Sequence, residues 1–199
     1  MLRGLLDVRR GGQIYAYGAS AWLGNGDPGS TAAPAAPAAQ RIVTVSRAEA
    51  ANGTRNRERT GTNCNYYTGQ MSPGAAACTG GWRSQQWCAD FANYVWKQAG
   101  VRTTGSAAAA SFYKYGKDNR TWKGGAGTAN AKVGDAVVFE LNASGSFASH
   151  VGLVTAVNGG TISYVSGNTG NPAGGADGVF EKTIDPTRNG VSGYASPVG

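Results

Sequence analysis

The sequence predicts an α+β domain in which N-terminal helices pack on an antiparallel β-sheet. Three observations lead there. Between Arg41 and Tyr115 apolar and small residues recur at helical spacing, most clearly at Phe91, Ala92, Val95 and Ala99. Beyond Gly134-Asp135 they fall instead into short strand-like runs. Two of those runs, His150–Val157 and Thr161–Val165, flank Asn158-Gly159-Gly160, the signature of a short-loop hairpin. Helices followed by strands is the α+β order, and 32 glycines in 199 residues favour turns and strands over a helical bundle.

Taken in order, residues 1–40 read as a tail and linker ahead of a domain at 41–199. Pro28 to Ala39 is a Pro/Ala-rich tether of semi-extended character. Before it, Arg3, Arg9 and Arg10 precede no continuous apolar core of signal-peptide length, and tyrosines and glycines interrupt Ile14 to Leu23. Ile42–Val45 leads into a short helix with Ser46 as cap, Glu49 as its capping-box partner and Gly53 as its stop. Gly61 to Trp82 reads as loop. A helix then runs from Cys88 to about Gly100, and Ser106 to Tyr115 reads as a further one. Strands are expected at Ala136–Leu141, across the hairpin, and at Gly178–Ile184.

The net charge of +7 is uneven: Arg41 to Lys132 carries +9, whereas Val133 to Gly199 carries −3. A basic half suits an anionic partner such as a bacterial wall. No Lys/Arg run is interleaved with aromatics, so nucleic acid is not an expected partner. Nothing approaches 18 consecutive apolar residues, so no membrane span is expected. With one histidine and no C-x₂-C or H-x₃-H spacing, the sequence calls for no metal and no other cofactor.

Three cysteines leave one thiol over. Cys64 and Cys78 bracket a turn-rich segment that suits a disulfide in an exported protein. Closing such a loop stabilises by about 3 kcal/mol in the chain-entropy account. Cys88 then stands in the first turn of its helix, where unpaired N–H groups and the macrodipole favour a thiolate. It is either a small core residue or a nucleophile. His150, the only imidazole, opens the first hairpin strand, and Asn168 follows the second. Antiparallel pairing across the Asn158 turn brings those far ends together, so Asn168 is expected to accept from the His150 ring and hold one tautomer. Amide hydrolysis by a thiol needs such a set: nucleophile, proton carrier and orienting group.

Four motifs in this order, Trp87-Cys88-Ala89-Asp90-Phe91, Gly134-Asp135-Ala136-Val137-Val138-Phe139, Ser149-His150-Val151-Gly152 and Ser166-Gly167-Asn168, resemble a CHAP domain, the cysteine, histidine-dependent amidohydrolase/peptidase of bacterial and phage peptidoglycan lysis. The resemblance spans about Arg41 to Gly199. It implies a papain-like fold related to the NlpC/P60 group, a Cys88–His150 dyad, and peptidoglycan as the polymeric substrate of a secreted or wall-located enzyme. Many members carry Glu where Ser166 stands here, which makes Asn168 the expected third residue. The N–H of Cys88 is expected in an oxyanion hole, with Gln86 or Gln85 as side-chain donor. Asp90, two residues on, is turned away by about 200° and reads as a helix charge. Trp82, Trp87 and Trp122 are candidates for a substrate groove, with core packing as the competing role. The alternatives are a non-catalytic module that binds the wall through the basic half, and a delivered lytic effector or toxin that docks through residues 1–40.

Overall fold

The computed structural model describes residues 7–9, 13–15, 36–71, 78 and 83–198. The chain divides into two units, residues 1–36 and 37–199. In the first, β1 (Asp7–Arg9) pairs antiparallel with β2 (Gln13–Tyr15), Val8 opposite Ile14.

The larger unit begins with α1 (Ala38–Ala50), which starts three residues before the expected domain edge and replaces the short Ser46-capped helix. The capping box does not form. Ser46 lies inside α1 and donates to the Ile42 carbonyl at 2.7 Å, while Glu49 takes the Arg55 Nε–H at 2.8 Å and the Tyr67 hydroxyl at 3.1 Å. Packing explains the longer helix: Ile42 and Val43 are buried, and a Cβ on Gly134 would stand 2.9 Å from the Ala39 Cα. The glycine lets the first turn of α1 settle onto the sheet.

The segment expected to be loop contains α2 (Tyr66–Met71). Asn65 starts it, its Oδ1 accepting from the Thr68 N–H at 2.9 Å. Tyr67 then stacks on Trp87 and meets Phe91 edge-on at 5.0 Å. Helix α3 (Cys88–Gln98) lies where the periodicity placed it, and Gly100 follows it at φ +74°. The helix expected over 106–115 is displaced to α4 (Ser111–Asp118). Asn93 diverts the chain before it by accepting the Thr104 N–H at 2.9 Å and donating to the Ser106 carbonyl at 2.8 Å.

Among the described residues the sheet holds six antiparallel strands: β3 (Trp122–Gly124), β4 (Ala136–Phe139), β5 (His150–Asn158), β6 (Thr161–Thr169), β7 (Gly178–Ile184) and β8 (Val191–Ala195), in the order β3-β8-β4-β5-β6-β7. β3 and β8 carry no strong strand pattern and went unforeseen. β4 stops at Phe139 because Glu140 turns at φ +47°. One face, with Val138, Val151, Leu153 and Val165, packs on α3; the other carries Val137, Phe139, Val154 and Tyr164. The fold class is therefore α+β, papain-like in setting a cysteine-headed helix against an antiparallel sheet that carries the histidine. No helix among the described residues is long and apolar enough to cross a membrane.

The β5–β6 hairpin pairs from Asn158↔Thr161 to Leu153↔Val165 with one register shift between Val154 and Ala156, and β6 bulges against β7 between Ser166 and Thr169. Gly167 sits in that bulge against α3, where a Cβ would lie 2.7 Å from the Phe91 Cβ and closer still to the Trp87 ring. Gly167→Ala is expected to lower unfolding stability by about 2 kcal/mol, the usual cost of overpacking. Urea unfolding checks this, and an unchanged midpoint would refute it.

Candidate active site

Cys88 is the first residue of α3, and no side chain caps that helix at Trp87. Its first-turn N–H groups are therefore available. The N–H groups of Ala89, of Cys88 itself and of Val151 in β5 all turn to the thiol. Val151 can serve it because regular β5–β6 pairing has ended at Leu153. Burial nevertheless outweighs these donors and pushes the thiol up to about 11, with the Asp90 charge adding to the rise. The lean toward a thiolate expected from the helix end is thus outweighed: Cys88 is 5 % exposed and desolvation dominates.

His150 lies next to Val151 and directly opposite Phe139, whose ring centroid is 5.8 Å from the imidazole. Burial first, then the Lys182 charge, hold the imidazole down to about 4. Cys88 and His150 therefore reach the same end of β5 as a neutral thiol and a neutral imidazole. Among the described residues no direct hydrogen bond joins them; the Val151 N–H, next in sequence to His150, turns to the thiol. Catalytic contacts of this kind commonly tighten only when substrate is bound.

Asn168 is not the partner of His150. At φ +53°, a conformation asparagine tolerates, it turns its Oδ1 to the Trp87 N–H at 3.0 Å. Its Nδ2 points to Asp177 and Asn63, at 3.3 and 3.4 Å. Its hydrogen bonds go to these partners and not to the imidazole, so it secures the mouth of α3. The residue beside the imidazole is Thr169, whose Oγ1 lies 3.5 Å from His150 Nε2. Hairpin topology alone does not say whether 168 or 169 faces the ring, because the register shifts in β5 between Val154 and Ala156 and again in β6 between Ser166 and Thr169.

A cavity of about 150 Å³ opens on Cys88, lined by Gln86, Ala107–Ala110 and Phe147–Ser149. Phe147 is 61 % exposed at its edge, and Asn142 fixes that loop by accepting the N–H groups of Ser146 and Phe147 at 2.9 and 3.1 Å. Gln86 reaches this cavity; Gln85 is exposed and does not line it. Trp87 is fully buried, stacked on Tyr67 and donating Nε1–H to Glu58 at 3.0 Å, so it is core and not groove. Trp122 packs edge-on against Tyr113 on β3, away from the Cys88 cavity lining. Trp82 lies outside the described residues. Asp90 is buried in an ion pair with Arg83 and takes the Thr68 hydroxyl at 3.1 Å, in keeping with a structural charge. Cys64 and Cys78 are joined in a disulfide, with Cα atoms 5.6 Å apart, and Cys88 is the free cysteine.

A family model described as the CHAP domain matches residues 78–168. That span includes Cys88, His150 and Asn168 and stops one residue short of Thr169. No curated protein matches the chain. Among solved structures, one from Staphylococcus aureus described as similar to a lipoprotein of the NLP/P60 family is 15 % identical with a TM-score of 0.43. The alignment covers 87 % of this chain and 45 % of that one, so this chain spans less than half its length.

A thiol raised from 9 to about 11 is about 100-fold less ionised near neutral pH than an exposed one. Iodoacetamide should accordingly alkylate native Cys88 roughly that much more slowly than urea-unfolded Cys88, with a rate that climbs as pH rises toward 11. Cys64 and Cys78 should stay unlabelled without reductant, as peptide mass spectrometry can show. Fast labelling of native Cys88 at pH 7 would contradict the burial argument.

Proposed function

We propose that this chain, with its CHAP-domain match over residues 78–168, is a peptidoglycan hydrolase that cleaves an amide bond of the wall peptide through a Cys88 thioester. What supports the reading is the free thiol at an uncapped helix mouth, opening on a cavity, with the one imidazole next in sequence to Val151, whose N–H turns to that thiol. Residues 41–199 are assigned the catalysis and residues 1–40 a docking or delivery role. The +9 balance between Arg41 and Lys132 suits an anionic wall polymer outside the cell membrane.

The steps follow from the neutral resting pair. As Cys88 Sγ attacks the substrate carbonyl carbon, its proton passes to His150, which acts as general base. The new oxyanion is met by the Cys88 N–H and the Gln86 side chain, each such donor being worth roughly 10²–10³ in rate. His150 returns the proton to the amine nitrogen as the C–N bond breaks, leaving a thioester. Water, giving its proton to His150, then attacks the acyl carbon and releases the carboxylate and the thiol.

Zymography on purified walls tests the reading, with released fragments identified by mass spectrometry. Wild type should clear the gel, whereas Cys88→Ala and His150→Ala should lose at least 10³-fold in rate. New muramoyl or cross-bridge termini identify an N-acetylmuramoyl-L-alanine amidase or an endopeptidase respectively. Activity should rise with pH through about 4, where His150 becomes neutral. Equal clearing by Cys88→Ala removes the thiol mechanism, and wall binding without new termini leaves a binding module instead.

A further inference from the structure

We infer that Thr169, backed by Ser166, is the positioning residue for His150, in place of the Asn168 carboxamide or a carboxylate at position 166. This assignment rests on the Cys88–His150 reading but is carried by separate geometry.

In a regular strand, residues three apart point to opposite faces. Ser166 and Thr169 would then be unable to touch. The bulge between them changes that parity, which is how bulges re-aim side chains. Gly167 and Asn168 form the excursion, Gly167 pressed against α3 and Asn168 turned through a positive φ to the Trp87 N–H. The two hydroxyls thereby come together, Ser166 Oγ 2.7 Å from Thr169 Oγ1, with Ser166 fully buried and Thr169 5 % exposed.

Thr169 Oγ1 faces His150 Nε2 at 3.5 Å and the Gly167 carbonyl at 3.4 Å. A hydroxyl has one proton to give and lone pairs with which to accept. With Thr169 donating to the Gly167 carbonyl, its oxygen accepts from Ser166 and from the imidazole. His150 is thereby held as the Nε2–H tautomer, with the Nδ1 lone pair left as the base. Ser166 restricts the Thr169 rotor, so the pair acts as one unit.

The single histidine makes the test direct: ¹⁵N-edited NMR of the full chain at pH 7 reports one imidazole. Wild type and Thr169→Ser should show Nε2 protonated and Nδ1 unprotonated. Thr169→Val, which keeps the shape and drops the hydroxyl, should move both ¹⁵N shifts toward a tautomer mixture, and Ser166→Ala should do so to a smaller extent. Asn168→Ala should leave the tautomer as in wild type. In the wall assay Thr169→Val should lower kcat about tenfold at similar KM, the worth of one such hydrogen bond. If Thr169→Val leaves the tautomer unchanged, or Asn168→Ala shifts it, the assignment is overturned. Where Thr169→Val does not fold, Ser166→Ala and Thr169→Ser decide. A shifted tautomer in a chain without wall-cleaving activity supports Thr169 and refutes the hydrolase reading, so the two failures are distinguishable.

Discussion

Helix α3 reaches the sheet because position 167 has no side chain. Trp87 and Phe91 occupy the space a Cβ would need, and β6 gives way there in a bulge. Three arrangements depend on that one close approach. The Val151 N–H lies past the last regular β5–β6 pair and goes to the Cys88 thiol. Asn168 is turned outward to hold the Trp87 N–H, fixing the entry of α3. Ser166 and Thr169 fall on one face beside the imidazole. A longer side chain at 167 would push α3 away and disturb all three together.

The surroundings of α3 hold it there. Its aromatic residues interlock with α2 through the Tyr67 ring, which meets Trp87, Phe91 and Tyr94. Two buried charges are paired, Asp90 with Arg83 and Glu49 with Arg55, and both take hydroxyl hydrogen bonds as well. Removing one member of such a pair leaves an uncompensated buried charge, which is far costlier than losing the pair whole. The cluster thus resists small displacements of the helix mouth. The same close packing that fixes Cys88 also withdraws it from water, which is why the thiol rises although the helix end favours its anion.

The sequence made legible what depends on local spacing. The α3 periodicity, the Asn158 hairpin and the leftover cysteine each follow from neighbouring residues, and the structure contains the helix, the hairpin and the Cys64–Cys78 disulfide. What it hid depends on distant contacts. Helix α1 extends back to Ala38 because of the space Gly134 leaves, and α2 forms where Tyr67 finds the aromatic face of α3. Strands β3 and β8 owe their pairing to each other more than to pattern. Hairpin topology sets Asn168 and His150 at neighbouring far ends, but the two register shifts, between Val154 and Ala156 in β5 and between Ser166 and Thr169 in β6, leave no mark in the sequence. The Gly167-Asn168 pair reads as an ordinary turn until Trp87 is known to press on it.

A hydroxyl in place of a carboxylate beside the imidazole fits the rest of the site. Position 166 is fully buried, and an ionised Glu there would lose its hydration at a cost of several kcal/mol unless a cation paired with it. Lys182 lies close enough to depress His150, so such a carboxylate would also alter the field around the ring. Ser166 and Thr169 supply direction without charge. They orient the imidazole yet do little to stabilise its protonated form, and burial keeps it neutral. In the proposed mechanism a neutral imidazole and a neutral thiol separate charge only when the sulfur meets a carbonyl and backbone N–H groups receive the oxyanion. On that reading the electrostatic cost of the reaction falls on the helix-end N–H groups, which the Gly167 contact holds in place.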